Sequence, residues 1–291
     1  MQQTRIDFRD QISKNKFKSF ILISLIFVVL VLFGYVISFA FSPGYFFVIM
    51  IVSIIFSLSY ILISYYNSDK IAIASVGAKP ASREKNKQYY DLVEGLTLAS
   101  GLPMPKLFIM ESQQINAFAS GRNPENAVVC VTTGALEKLD KRELEGVLAH
   151  ELSHVANFDI RYMALATVMV GMIAIASEIF LRSLWFRSDN DKGKGIFILI
   201  GIILAILAPI IVQLVQLAIS RRREFNADTT SVKFTRYPQG LIGALKKIKK
   251  ENQSEKKISR AIAPLFFANP FGNLGSTHPP IEKRIEFLER M

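Results

Sequence analysis

The sequence predicts a membrane-embedded α+β fold, with a polar domain in two parts carried on a bundle of four apolar helices. Three observations predict it. The 291-residue chain is 51% hydrophobic, more than soluble domains of this size usually carry. The excess is concentrated: no charged residue occurs from Ser19 to Ser68, and two further charge-poor stretches run from Tyr162 to Ser177 and from Gly195 to Ser220. Between and after these stretches the chain returns to a polar composition punctuated by turn signals.

The elements follow in order. Met1–Lys18 is polar and basic, with Arg5, Arg9, Lys14, Lys16 and Lys18 against Asp7 and Asp10. Phe20–Phe41 is long enough to cross a bilayer core of about 30 Å. It is too long for a cleaved signal peptide, and a second span follows at once. Ser42-Pro43-Gly44 breaks the first helix, and Phe46–Tyr66 forms the second, with Tyr65 and Tyr66 placed for the interface. Ser82–Ser100 has helical spacing in Tyr90, Val93, Leu96 and Leu98, and stops at Gly101. Short β-like runs follow at Lys106–Met110, Ile115–Ala119 and Ala127–Val131, the last two separated by the turn Gly121-Arg122-Asn123-Pro124. Cys130, the one cysteine, lies in the last run as a small hydrophobe and cannot make an internal disulfide. A helix then opens at Asp140, with Glu143 completing a capping-box pair and Leu144, Val147, Leu148 and Val155 as its buried stripe.

Tyr162–Leu181 is the third apolar segment; Glu178 lies near its end beside Arg182, an interfacial position. Arg182–Lys194 is a polar loop, and Gly195–Ser220 is the fourth apolar segment, kinked at Pro209. The lysine-rich run Lys246–Lys257 reads as a solvated helix face near headgroups. The expected organisation is a basic N-terminus and transmembrane hairpin (1–66), a first polar part (67–161), a second transmembrane hairpin (162–220) and a second polar part (221–291). The net charge of +11 collects beside the apolar stretches. That distribution suits anionic lipid headgroups, and no nucleic-acid motif accompanies it.

The chemistry concentrates at His150-Glu151-Leu152-Ser153-His154, an H-E-x-x-H on the capped helix. Spacing i, i+4 puts both imidazoles on one face, aimed at one point, as a zinc site requires. The glutamate directly after the first histidine reaches a water held at the metal rather than the metal itself. The chain has 3 histidines in total, so two of them meeting a glutamate at these offsets by accident is improbable. Catalytic zinc takes three protein ligands and keeps one open position. With only His278 left as a histidine, a carboxylate is the expected third ligand, and Glu224 in Arg221-Arg222-Arg223-Glu224-Phe225-Asn226-Ala227-Asp228 is the best placed. Asp228, one turn on, can hold the far nitrogen of a liganding histidine. Read without a metal, Glu224 and Asp228 are an exposed acidic pair beside three arginines. Asn157 and Asp159 follow the H-E-x-x-H helix; there a helix-stop role is expected over support of a ligand. His154 and Glu224 must meet at one ion, so an even number of spans separates them, and two apolar segments lie between.

Three signatures in this order resemble the HtpX-type membrane metallopeptidases, relatives of the prenyl-protein (CAAX) endopeptidases. They are the run His150–Asp159, the run Arg222–Asp228, and Ser276-Thr277-His278-Pro279-Pro280. The resemblance covers nearly the whole chain. It implies a gluzincin-like zinc protease domain on a four-helix transmembrane bundle, one Zn2+ per chain, and peptide or membrane-protein substrates in proteolytic quality control. It also implies that His278 acts near the metal without being a ligand. A hydrogen bond from His278 to the developing oxyanion fits, as does a plain helix start, with Ser276 or Thr277 capping and Pro279 and Pro280 in the first turn. Asn116-Ala117-Phe118-Ala119-Ser120 resembles the family's edge strand beside the zinc, whose free backbone groups can pair with an extended substrate; read plainly it is an ordinary strand.

Orientation follows the positive-inside rule. Arg5, Arg9, Lys14, Lys16, Lys18, Lys70, Arg161 and Arg221–Arg223 fall on one side, against Arg182, Arg187, Lys192 and Lys194 on the other. The bias predicts a multi-pass protein of the cell membrane with a cytoplasmic active site. Three rivals stand beside this reading. A prenyl-peptide protease would have more apolar segments. An intramembrane protease would carry its H-E-x-x-H inside a span, whereas Lys141, Arg142, Glu143 and Glu145 precede this one. A non-catalytic zinc scaffold would not need Glu151.

Overall fold

The computed structural model describes residues 43–165, 221–251, 266–267 and 279–291, with scattered positions between 13 and 35. The chain divides into two compact units, Phe17–Tyr66 with Leu165–Ala218, and Met1–Lys16 with Asn67–Ala164 and Ile219–Met291.

In the first unit a 3-10 turn at Pro43–Tyr45 leads into α1 (Phe46–Tyr66). The 21 residues of α1 reach about 30 Å at about 1.5 Å each, and its most apolar window has a mean hydropathy of 2.8. Among the described residues it is the one helix long and apolar enough to cross a membrane. Phe47, Ile51, Ile55 and Leu62 point outward and exposed, a surface that lipid solvates and water does not. Ser57 donates to the Ser53 carbonyl at 2.6 Å, so its hydroxyl is satisfied within the helix. The first, third and fourth expected spans, with Glu178, lie wholly or largely outside the described residues.

The second unit is built on a four-stranded mixed sheet and the helices against it. The strands are β1 (Lys79–Pro80), β2 (Lys106–Met110), β3 (Ala117–Gly121) and β4 (Ala127–Thr132), in spatial order β1-β2-β4-β3. β2 and β4 run parallel; β1–β2 and β3–β4 are antiparallel. The helices are α2 (Ser68–Ser75), α3 (Lys87–Ser100), α4 (Thr133–Lys138), α5 (Lys141–Ala156), α6 (Arg221–Thr235), α7 (Pro238–Glu251) and α8 (Ile281–Leu288). β4 is buried at every residue, Cys130 included, as befits a strand covered on both faces.

Two expected boundaries move. The helix read from Ser82 begins at Lys87, because Ser82 and Asn86 close a turn on each other: the Asn86 N–H donates to the Ser82 carbonyl at 2.8 Å and the Ser82 N–H to Asn86 Oδ1 at 3.3 Å. The strand read as Ile115–Ala119 runs two residues later. Gln114 and Asn116 are engaged by Thr132, whose hydroxyl bonds the Gln114 carbonyl at 2.7 Å and whose N–H bonds the Asn116 carbonyl at 3.0 Å. At the other end Gly121 sustains a φ of 143° against the Asn126 carbonyl.

α5 positions the site. Its capping box forms as expected: Asp140 accepts from the Arg142 and Glu143 N–H groups, and Glu143 accepts from the Asp140 N–H at 2.8 Å. Leu144, Val147, Leu148, Leu152 and Val155 join the main core with residues from the sheet, α3 and α7. α5 and α7 approach closely at glycines. A Cβ on Gly146 would lie 2.6 Å from the Leu241 backbone nitrogen, and one on Gly240 would lie 2.3 Å from the Arg142 carbonyl oxygen.

Candidate metal centre

On α5, His150 and His154 face the same way one turn apart, with Nε2 atoms 3.2 Å from each other. α6 enters beside them and brings Glu224 with it. Oε2 lies 3.6 Å from His150 Nε2, and Oε1 lies 3.7 Å from His154 Nε2. All three residues are buried, and their candidate ligand atoms fall within 4.8 Å of one another. A tetrahedral ion with bonds of about 2.0–2.1 Å sets its ligands roughly 3.3 Å apart, so the spacing fits a metal.

The far nitrogens supply the stronger argument. His150 Nδ1 lies 2.9 Å from Asp228 Oδ1, and His154 Nδ1 lies 3.1 Å from Asp159 Oδ2. Each carboxylate accepts an Nδ1–H, which turns the lone pair of each Nε2 toward the other ring. Two lone pairs at that separation repel; a metal ion between them, or a proton on His154 when no metal is bound, relieves the repulsion. Glu224 points its carboxylate at the same place.

Asp159 therefore corrects an expectation. It does not end the helix; it backs a candidate ligand. Asn157 is the C-cap residue, and Phe158 takes a left-handed φ of 58° that turns the chain back. The reversal brings Asp159, fully buried, under the His154 ring. Nothing in the sequence marks this, because the left-handed position after a helix normally falls to glycine or asparagine.

Two arginines complete the surroundings. Arg284 of α8 is buried and grips Asp228 with both arms, Nε to Oδ2 at 2.9 Å and Nη2 to Oδ1 at 2.6 Å. Its ring-facing side stacks on Phe267, which in turn packs edge-on against the His150 ring. Arg223, also buried, places Nε 3.5 Å from Asp159 Oδ1 and lies over the Tyr162 ring. Sequence reading missed Arg284 altogether. The signal was present: Ile281, Arg284, Ile285 and Leu288 form the inward stripe of α8, and an arginine on an apolar stripe needs a buried partner.

The electrostatics follow from burial and these contacts. Burial pushes the Glu151 carboxyl up, offset by the two imidazoles and by a backbone hydrogen bond at Ala119. A raised carboxyl suits a proton carrier. Burial opposes charge on His154, yet the Asp159 hydrogen bond and the Glu224 carboxylate outweigh it and lift its pKa to about 9. Burial would likewise raise Asp228, but Arg284 and then His150 hold it below the ordinary carboxylate range.

β3 forms the edge of the sheet, as the resemblance implies for Asn116–Ala119. Part of that edge is already in use. The Phe267 N–H donates to the Ala117 carbonyl at 2.8 Å, Phe118 pairs antiparallel with Phe266, and the two rings sit 5.2 Å apart. Asn116 precedes the strand, buried, with its side-chain oxygen on the Ala117 N–H at 3.1 Å. His278 lies outside the described residues.

A family model for peptidase family M48 matches residues 83–291, most of the chain. The chain belongs to peptidase family M48. A protease HtpX homologue from Dictyoglomus thermophilum is 41% identical over 289 residues, covering 98% of this chain and 95% of the relative. A second, from Lactobacillus acidophilus, is 40% identical and covers 97% of this chain and 99% of the relative. The crystal structure of Ste24p from S. mikatae shares the fold at a TM-score of 0.52 and 19% identity, over 89% of this chain and 61% of that one. This M48 peptidase is thus an HtpX-like metalloprotease, and its substrates are peptides or proteins.

Proposed function

We propose that this M48 peptidase is a multi-pass zinc endopeptidase with one zinc per chain, held by His150, His154 and Glu224. The observation that carries the reading is the pair of imidazoles whose far nitrogens are each held by a carboxylate while the near ones converge with Glu224. Nitrogen and carboxylate donors in a buried three-ligand set suit zinc with an open position. The ion, when bound, polarises the scissile carbonyl and brings a water's pKa toward neutrality. Glu151 takes the proton of the attacking water and passes it to the leaving amine, which its raised pKa favours. His278 donates to the carbonyl oxygen as charge develops. The edge segment Asn116 to Ala119 aligns the extended substrate by backbone hydrogen bonds, which requires Phe266 and Phe267 to give up their pairing with Ala117 and Phe118. Asp228 keeps His150 in its donating tautomer.

The remaining parts of the proposal rest on the sequence pattern. Four spans in two hairpins, 1–66 and 162–220, carry the polar parts 67–161 and 221–291 on the cytoplasmic side of the cell membrane. Misfolded or damaged membrane proteins are the natural substrates. Metal analysis of the detergent-purified full chain tests the core. We expect one zinc per chain, its loss with all activity in His150→Ala and His154→Ala, and its retention in Glu151→Gln with most hydrolysis gone. Full zinc in either histidine variant defeats the ligand set; near-normal turnover in Glu151→Gln favours a non-catalytic scaffold.

A further inference from the structure

Each candidate ligand histidine stands at the head of a three-residue chain that ends on a buried arginine. One chain is His150–Asp228–Arg284, with links of 2.9 Å from imidazole to carboxylate and of 2.6 and 2.9 Å from carboxylate to guanidinium. The other is His154–Asp159–Arg223, with links of 3.1 and 3.5 Å. We propose that Arg284 and Arg223 are positioning residues, which set the affinity of the metal centre by locking the carboxylates that orient the two imidazoles. The inference rests on the metal-centre reading above.

The geometry carries it. Asp228 accepts from Arg284 through both oxygens, a fork that fixes the carboxylate plane. Oδ1 then takes the His150 Nδ1–H as well. The 3.3 Å approach of Arg284 Nη2 to His150 Nδ1 is two donors converging on that one oxygen. A carboxylate held on both oxygens cannot swing, and the imidazole hydrogen-bonded to it cannot turn its Nε2 away. Phe267 closes the remaining freedom, stacked under the guanidinium and edge-on to the His150 ring. On the second chain the Tyr162 ring plays the corresponding part, with the Arg223 guanidinium 4.4 Å from its centroid.

Charge requires the arginines too. Glu151, Asp159, Glu224 and Asp228 are four carboxyl groups buried around one point. Uncompensated buried charges are costly. Arg223 offsets Asp159, and Arg284 offsets Asp228 while its Nη1 also lies 3.7 Å from Glu224 Oε2. The arginines come from different places, one directly before the third ligand on α6 and the other from α8 near the end of the chain. The metal centre is therefore closed only when both polar parts of the unit are packed together.

The test measures zinc affinity, not turnover, by competition with a chromophoric chelator on the full chain in detergent. Losing a residue that supports a ligand costs roughly 10–100-fold in metal affinity, and we expect Arg284→Met and Arg223→Met to lose about tenfold. Arg284→Lys, which keeps the charge without the fork, should fall between Met and the wild type. A double-mutant cycle separates positioning from packing: Arg284→Met should couple with Asp228→Asn and add independently to Asp159→Asn. Circular dichroism of the chelated variants shows which ones fold. If Arg284→Met does not, Arg223→Met tests the second chain on its own. A folded arginine-to-methionine variant with wild-type affinity overturns the proposal, as does equal coupling of Arg284 to both aspartates. Should His150→Ala keep its zinc, the underlying metal-centre reading fails instead.

Discussion

By the proposed roles, a substitution at Glu224 removes a ligand atom, and one at His278 removes only a hydrogen-bond donor to the transition state. Both abolish turnover, so metal retention tells them apart. Glu224→Ala should lose zinc to a weak chelator during dialysis. His278→Ala should keep it and slow single-turnover cleavage by about 10²–10³, the usual cost of one oxyanion donor. Zinc lost from His278→Ala and kept by Glu224→Ala would reverse the two roles. His154 gives a pH prediction of definite sign. Its pKa is about 9 in the folded chain, raised from the ordinary imidazole value of 6.5. In chelated protein that difference is stabilising in full below about 6.5 and is lost as pH rises through about 9. Melting midpoints of the chelated chain should therefore fall between pH 6.5 and 9.5, and a His154→Gln variant should lack that slope. Metal binding runs the other way, because zinc needs the neutral ring: affinity should rise over the same interval. The convergence of the candidate ligands was legible because a helix repeats every 3.6 residues, so spacing alone places His150, His154 and, one turn after Glu224, Asp228. Asp159 was not, because its place depends on a left-handed phenylalanine that no pattern announces. Arg284 was legible in principle, as the one charged residue on the inward stripe of α8.

At the scale of elements, the apolar run gave α1 its bounds directly, since Pro43 and Gly44 lie just before it and Asn67 just after it. The strand beside the site was legible in kind but shifted in place. Its start is decided by Thr132 bonding back to Gln114 and Asn116, a contact across 16 to 18 positions of chain that a local pattern cannot contain. Sequence also could not reveal that Phe266 and Phe267 lie on the β3 edge, because pairing partners so distant are chosen by the fold. Two glycines, one at the crossing of α5 and α7 and one on α3, give predictions of opposite sign. At Gly146 an added methyl meets the Leu241 backbone at 2.6 Å, and backbone cannot swing aside. Gly146→Ala should cost about 1–3 kcal/mol as an overpacked contact, and it should loosen zinc, since α5 carries both histidines. Gly95 on α3 has open space beside it. There Gly95→Ala should stabilise by about 0.5–1 kcal/mol, the ordinary helix penalty of glycine. Thermal unfolding of both variants, with zinc present, checks the signs; a stabilised Gly146→Ala would mean that the helices do not meet as described.

For the whole molecule, the metal centre imposes a rule on topology. His150 and His154 come before the second pair of apolar stretches, and Glu224 comes after it. Their ligand atoms converge within one compact unit, so the chain must cross the membrane an even number of times between them. The stretches 162–181 and 195–220 supply two crossings, or none if both lie at the surface. Fusions of a two-state topology reporter decide between these. With two crossings, reporters after Tyr66 and after Ser220 lie in the cytoplasm, where Lys70, Arg161 and Arg221–Arg223 collect, and a reporter near Asp189 lies on the far side. With none, all three report the cytoplasm, the ligand set stands, and the four-span bundle becomes a two-span one. One outcome no arrangement of the bundle can absorb. If the reporters after Tyr66 and after Ser220 lie on opposite faces, Glu224 cannot reach the histidines, and the ion must take its third ligand from outside residues 221–291.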